Sequence, residues 1–193
     1  MPSPMIHLLV AYEINPKASD SFWVGNIAPD YTNDRQLKDE IHFRNSENRL
    51  EELRQLRNKI DKNNPFESGW LLHLFVDKCW DEIMIPAFQQ KYKNSSVFHD
   101  WFIKYREETA LASFYLYHHM EWSPQIWTQI LNADLSIITS ELPIIQYEAE
   151  WYRDVLYRRH SESNNKLLSK EYTEEQLLDF SRKTARQYME WLR

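Results

Sequence analysis

The chain has 193 residues, 42% of them hydrophobic and 15% aromatic, with two glycines, one cysteine and a formal charge of −6. That length sustains a hydrophobic core, and the apolar content excludes a disordered tail. Two glycines are too few for the turns of an all-β fold or the phosphate loops of a doubly wound α/β fold. The lone Cys79 excludes an internal disulfide framework and a thiolate metal cluster. The acidic balance, 23 Lys and Arg against 29 Asp and Glu, disfavours nucleic acid as a partner.

Residues 3 to 14 carry helical spacing, with Met5, Leu8, Leu9 and Tyr12 on one side and Pro2 and Pro4 where a first turn tolerates proline. This stretch has no basic n-region, and His7 and Glu13 interrupt its apolar part, so it does not read as a signal peptide. No run of 18 apolar residues offers a transmembrane helix. These features predict a cytoplasmic protein. Residues 15 to 45 are mixed, broken by Pro16, Gly25 and Pro29. Ser46 to Asp61 is an amphipathic helix with Leu50, Leu53, Leu56 and Ile60 on its apolar face. After a break at "KNNPFES", a helix runs from about Glu67 to about Tyr92, bent or interrupted near Pro86.

A long helix is expected over residues 94–122, capped by Ser95 or Ser96. Its aromatic stripe of Trp101, Tyr105, Phe114, Tyr115 and Trp122 is expected to pack in the core. The dipeptide His99-Asp100 reads as an exposed first turn. Two further helices are predicted, from about Leu131 to His160 with Pro143 inside it or between segments, and from about Thr173 to Leu192. Thr173 and Gln176 open the last with a capping box. No strand-like alternation persists and no internal repeat is visible. The reading is one all-α domain over residues 1–193, a multi-helix bundle.

Some polar residues do not suit such a core. His73 and Asp77 stand four apart in "HLFVDKCWDE", hence on one helix face, and Gly69 lies one turn earlier on the same stripe. An ionised Asp77 in apolar surroundings is costly unless paired or bound to a metal. A glycine on that stripe admits another chain segment or a ligand. A buried His–Asp hydrogen bond explains the pair alone. Upstream, however, "WVGNIAPDY" supplies Asp30 and "KDEIHF" supplies His42, and metal sites need convergent His and carboxylate ligands from more than one element.

A His near the N-terminus, then "FWVGNIAPD", "HF" and "GWLLHLFVDKCW" resemble, in order and spacing, the zinc-dependent phospholipase C family in its short bacterial branch, over roughly the first 85 residues. The resemblance implies an all-α fold like that of S1/P1-type nucleases, zinc at the centre of the helical bundle, and phosphoester hydrolysis. It makes His7, Asp30, His42, His73 and Asp77 candidate ligands, Asp77 able to bridge two metals, and Asp30 both ligand and general base. The family's N-terminal Trp ligand is missing here, Ile83 stands where a further His is usual, and the downstream HxxxE is absent. Asp81, Glu108 and His118 are candidate additional ligands, so one or two zinc ions are expected. The expected substrate is a small soluble phosphoester. Two other readings stay open: a non-catalytic metal-binding structural or interaction protein, and a polar core without metal.

Overall fold

A computed structural model describes residues 2–93, 101–163 and 168–193, leaving aside the side chain at position 139. Among them the chain forms ten α-helices and no strand, an all-α multi-helix fold. The helices are α1 (Pro4–Ile14), α2 (Asp20–Ile27), α3 (Arg35–Ile41), α4 (Arg49–Lys59), α5 (Pro65–Tyr92), α6 (Trp101–His119), α7 (Ser123–Asn132), α8 (Ser136–Glu141), α9 (Gln146–Ser161) and α10 (Glu174–Trp191). No helix is long and apolar enough to cross a membrane. The expected caps at Ser95 or Ser96 and the dipeptide His99-Asp100 lie outside the described residues.

α1 is buried from Met5 to Ala11 on every side, not on one face. Its run "MIHLLVA" is apolar all round, the pattern of a helix enclosed by others. α10, α2, α6 and α5 surround it. The stretch read as mixed contains two short helices, α2 and α3. α3 starts where Asp34 accepts from the Leu37 amide, and a 3-10 turn, Ala28–Asp30, precedes it.

α2 lies along α5 in the largest helix–helix contact. The two glycines make this possible. A Cβ on Gly25 would stand 2.1 Å from the Phe66 carbonyl oxygen, and one on Gly69 2.2 Å from the Phe22 carbonyl oxygen. The backbones touch, and only glycine fits. The partner admitted by Gly69 is therefore α2.

α5 begins two residues before the expected start. The segment read as a break supplies its cap: Asn64 accepts from the Phe66 and Glu67 amides, and Pro65 fills the first position. The helix runs through Pro86 without interruption. Pro86 and Glu82 are both exposed, so water can reach the carbonyl that Pro86 cannot satisfy.

The region expected to be helical from about 131 to 160 holds the end of α7, then α8 and α9, with Pro143 between segments, one of the two arrangements expected. α7 starts at Ser123, beyond the end of α6 at His119, and Pro143 separates α8 from α9. The proline has no amide to donate and disfavours helix in the residue before it. α10 carries the capping box between Thr173 and Gln176. In the aromatic stripe only Tyr105 is fully buried, its hydroxyl accepting from Trp80 Nε1 at 2.7 Å; Trp101 and Trp122 are half-buried against the core, and Phe114 and Tyr115 are half-buried outside it.

Candidate metal centre

Four elements converge on one point. α1 brings His7, the 3-10 turn brings Asp30, the end of α3 brings His42, and α5 brings His73 and Asp77. His7, His42, His73 and Asp77 are fully enclosed, and the Asp30 side chain is 11% exposed. Asp30 therefore marks the solvent side.

The hydrogen bonds fix the tautomers of two imidazoles. His73 Nδ1 stands 2.8 Å from the Asn26 carbonyl oxygen, and His42 Nδ1 stands 2.6 Å from the Lys38 carbonyl oxygen. A carbonyl oxygen only accepts, so each Nδ1 carries the proton. In a neutral ring the other nitrogen is then a bare acceptor. Yet His42 Nε2 and His73 Nε2 face each other at 3.0 Å. Two lone pairs at that separation repel unless a cation stands between them.

The protonation states agree with that need. Burial, and then the neighbouring His7, hold the His73 pKa well below the ordinary imidazole value. Burial also lowers His42, although Asp77 opposes it. Neither ring readily supplies the proton as imidazolium. For Asp77, burial raises the pKa, but the surrounding His7, His42 and His73 rings overcome it and hold the group well below the carboxylate range. Asp30 is lowered too: burial opposes, and Lys38, His73 and His42 prevail. Neutral imidazoles and ionised carboxylates are the forms that ligate metal.

The spacing suits a small cation. His42 Nε2 lies 3.4 Å from Asp77 Oδ2 and 3.7 Å from Asp30 Oδ1, and His7 Nε2 lies 3.5 Å from Asp77 Oδ1. Tetrahedral zinc with N and O ligands has ligand–ligand edges of about 3.3–3.6 Å. Two overlapping trios, His7 with Asp30 and His73, and His42 with His73 and Asp77, each hold their ligand atoms within 4.8 Å of one another. Both nitrogens of His7 and Oδ1 of Asp77 are buried without a hydrogen-bond partner. Buried polar atoms are rarely left so. These His and Asp groups can hold a metal ion. The His7 ring stacks on His73 with centroids 3.8 Å apart, so α1 and α5 present their imidazoles side by side.

The three further candidates lie elsewhere. Asp81 Oδ2 pairs with Arg49 at 2.8 Å. Glu108 accepts from Ser169 and from the Lys170 amide, and pairs with Lys104. His118 Nε2 bonds the Ser163 carbonyl. None joins either trio.

Three cations that the sequence reading passed over stand around the cluster. Lys38 Nζ is 2.8 Å from Asp30 Oδ1. Arg44 and Arg49 bring Nη2 to 3.4 and 3.6 Å of Asp77 Oδ2. Lys38 was recoverable, because it stands one helical turn before His42. Arg44 was not, since its place depends on a reversal at the end of α3. There Phe43 adopts φ 53°, the Arg44 amide reaches back to the Asp39 carbonyl and the Phe43 amide to Glu40. This is a Schellman closure with phenylalanine where glycine is usual. It turns Arg44 back toward Asp77.

Fold and site together define an all-α helical protein with a buried His/Asp cluster able to hold a metal. Comparison with family models, with curated proteins and with solved structures gave no match.

Proposed function

We propose that the chain is a metal-dependent hydrolase acting on a phosphoester, with zinc as its metal and His7, Asp30, His42, His73 and Asp77 as ligands. The observation that carries the metal is the pair of facing Nε2 atoms, each with its opposite nitrogen committed to a carbonyl oxygen. The resemblance of the first 85 residues or so to zinc-dependent phospholipases C supports the phosphoester. A divalent ion bound there supplies Lewis-acid chemistry, lowering the pKa of a coordinated water and polarising the phosphoryl oxygen. The protein residues do the rest. The Asn26 and Lys38 carbonyls orient His73 and His42. Enclosure of the imidazoles and Asp77 excludes bulk water, while Asp30, at the exposed edge, accepts the proton of the attacking water.

A second reading, a metal-binding structural protein without turnover, is favoured by one contact: Lys38 already engages Asp30 at 2.8 Å, which holds the carboxylate ionised but lowers its basicity. One experiment separates the two. Chelator-stripped protein is titrated with Zn²⁺ or Mn²⁺, ion content is measured, and hydrolysis of nitrophenyl phosphoesters is followed for wild type and Asp30→Asn. One or two ions per chain are expected, with turnover that falls roughly 100-fold or more in the variant while its thermal midpoint barely moves. His73→Ala should lose most of its metal and keep its helical circular dichroism. Bound metal without turnover selects the second reading. No uptake of either metal refutes both.

A further inference from the structure

Arg44 and Arg49 stand at the outer edge of the cluster, 24% and 16% exposed, over a fully enclosed Asp77. Each guanidinium is anchored by one nitrogen on an outer carboxylate: Arg44 Nη1 to Asp39 Oδ1 at 2.9 Å, and Arg49 Nη1 to Asp81 Oδ2 at 2.8 Å. Each turns its other terminal nitrogen inward. Those inward contacts, 3.4 and 3.6 Å to Asp77 Oδ2, are longer than the 2.7–2.9 Å typical of a charge-assisted bond. Arg49 Nε and Nη2 are buried and make no hydrogen bond. The two forks are held in position; Arg44 Nη2 makes only a long bond to Asp77 Oδ2, and Arg49 keeps two donors unspent.

Charge decides what they can take. Asp30, Asp39, Asp77 and Asp81 face Lys38, Arg44 and Arg49, four negative charges against three positive. A divalent ion reverses the balance to a net positive charge, and a second ion makes it more so. With Asp77 Oδ2 committed to the metal, both inward Nη2 groups would be left without an anion. Arginine forks match phosphate oxygens in geometry as well as charge.

We infer that Arg44 and Arg49 form an anion subsite that reads a terminal phosphoryl group, so that the substrate class is a phosphomonoester dianion rather than a diester. The inference rests on the metal-site reading above and deepens it. A monoester has three non-bridging oxygens. One faces the His/Asp cluster, and Arg44 and Arg49 each take one of the others. A diester has only two, so the inward Nη2 of one arginine is left without an acceptor, while its Nη1 keeps its outer carboxylate. Leaving a buried charged donor unpaired is the stronger penalty.

Inorganic phosphate is the probe, and calorimetry the readout, so that turnover plays no part. Zinc content is measured first. Zinc-loaded wild type should bind phosphate at pH 8, and chelator-stripped protein should not. Arg44→Gln and Arg49→Gln should each weaken phosphate binding about tenfold to a hundredfold with zinc content unchanged. If either Gln variant fails to fold, Arg44→Lys and Arg49→Lys keep the charge and remove the fork, and the same loss is expected. Methyl phosphate should displace bound phosphate at concentrations where dimethyl phosphate does not. A wild type that takes up no zinc overturns this inference together with the metal site. One that takes up zinc but ignores phosphate, or binds dimethyl phosphate equally well, overturns the arginine subsite alone. Arginine variants that bind phosphate as wild type does refute it too.

Discussion

Gly69→Ala adds one methyl group on α5 and tests how the α2–α5 contact supports the metal centre. The new Cβ would stand 2.2 Å from the Phe22 carbonyl oxygen and 2.9 Å from the Asn26 amide nitrogen. Both are backbone atoms of a packed helix, so no side chain can rotate away. Restoring ordinary contact requires α2 to move by about 1 Å. Overpacking costs typically about 1–3 kcal/mol, and a rigid neighbour puts this case at the upper end. Alanine returns about 1 kcal/mol of helix propensity, leaving a net loss of about 2 kcal/mol. The same displacement strikes the site. Asn26 Nδ2 donates to the Gly69 carbonyl at 3.4 Å, and the Asn26 carbonyl holds His73 Nδ1 at 2.8 Å. A shift of α2 stretches the bond that fixes the His73 tautomer. Loss of such a support typically lowers metal affinity 10–100-fold. Urea denaturation and competitive zinc titration of the purified variant measure the two effects. A Gly69→Ala protein as stable as wild type, with unchanged zinc affinity, would refute the claim that backbone contact at the glycines positions the site.

Two further substitutions probe the core away from the ligands. Leu72 is fully buried on α5, so Leu72→Ala should cost about 2–5 kcal/mol in urea unfolding while zinc affinity stays within error; unchanged stability would contradict the enclosure of α5. His160 is enclosed, with Nε2 2.8 Å from Ser113 Oγ and Nδ1 on the Leu156 carbonyl, and burial lowers its pKa from 6.5 to about 4. The unfolded chain protonates His160 first as pH falls below 6.5, so the stability its neutral form contributes is present above that value and lost on acidification, by about 2 kcal/mol at pH 5. His160→Gln should flatten that part of the profile between pH 7 and 5, and an unchanged slope would place the acid sensitivity elsewhere.

The readable parts of the sequence are those set by local chemistry. Scarce glycine and long apolar periodicities gave an all-α protein, and the capping box at Thr173 and Gln176 marked the start of the last helix within a residue. The 3.6-residue repeat put His73, Asp77 and Gly69 on one stripe before any neighbour was known. Short helices were lost. α2 has only eight residues around Gly25, and α3 has seven, too short to show periodicity and held mainly by what they pack against. Of the bend or interruption expected near Pro86, the interruption does not occur, because the carbonyl it orphans faces water.

What the sequence by itself determined is the identity of the donors and the helical faces that carry them. Their convergence is tertiary. It requires α2 to touch α5 backbone to backbone at Gly25 and Gly69, the Asn26 and Lys38 carbonyls to select one tautomer each, and α1 to be enclosed so that His7 points inward. Arg44 reaches the cluster only through the reversal at Phe43, and Arg49 only because α4 packs on α5. These placements depend on contacts between residues far apart in the chain. Periodicity reports the face a residue occupies, whereas packing alone decides what that face meets.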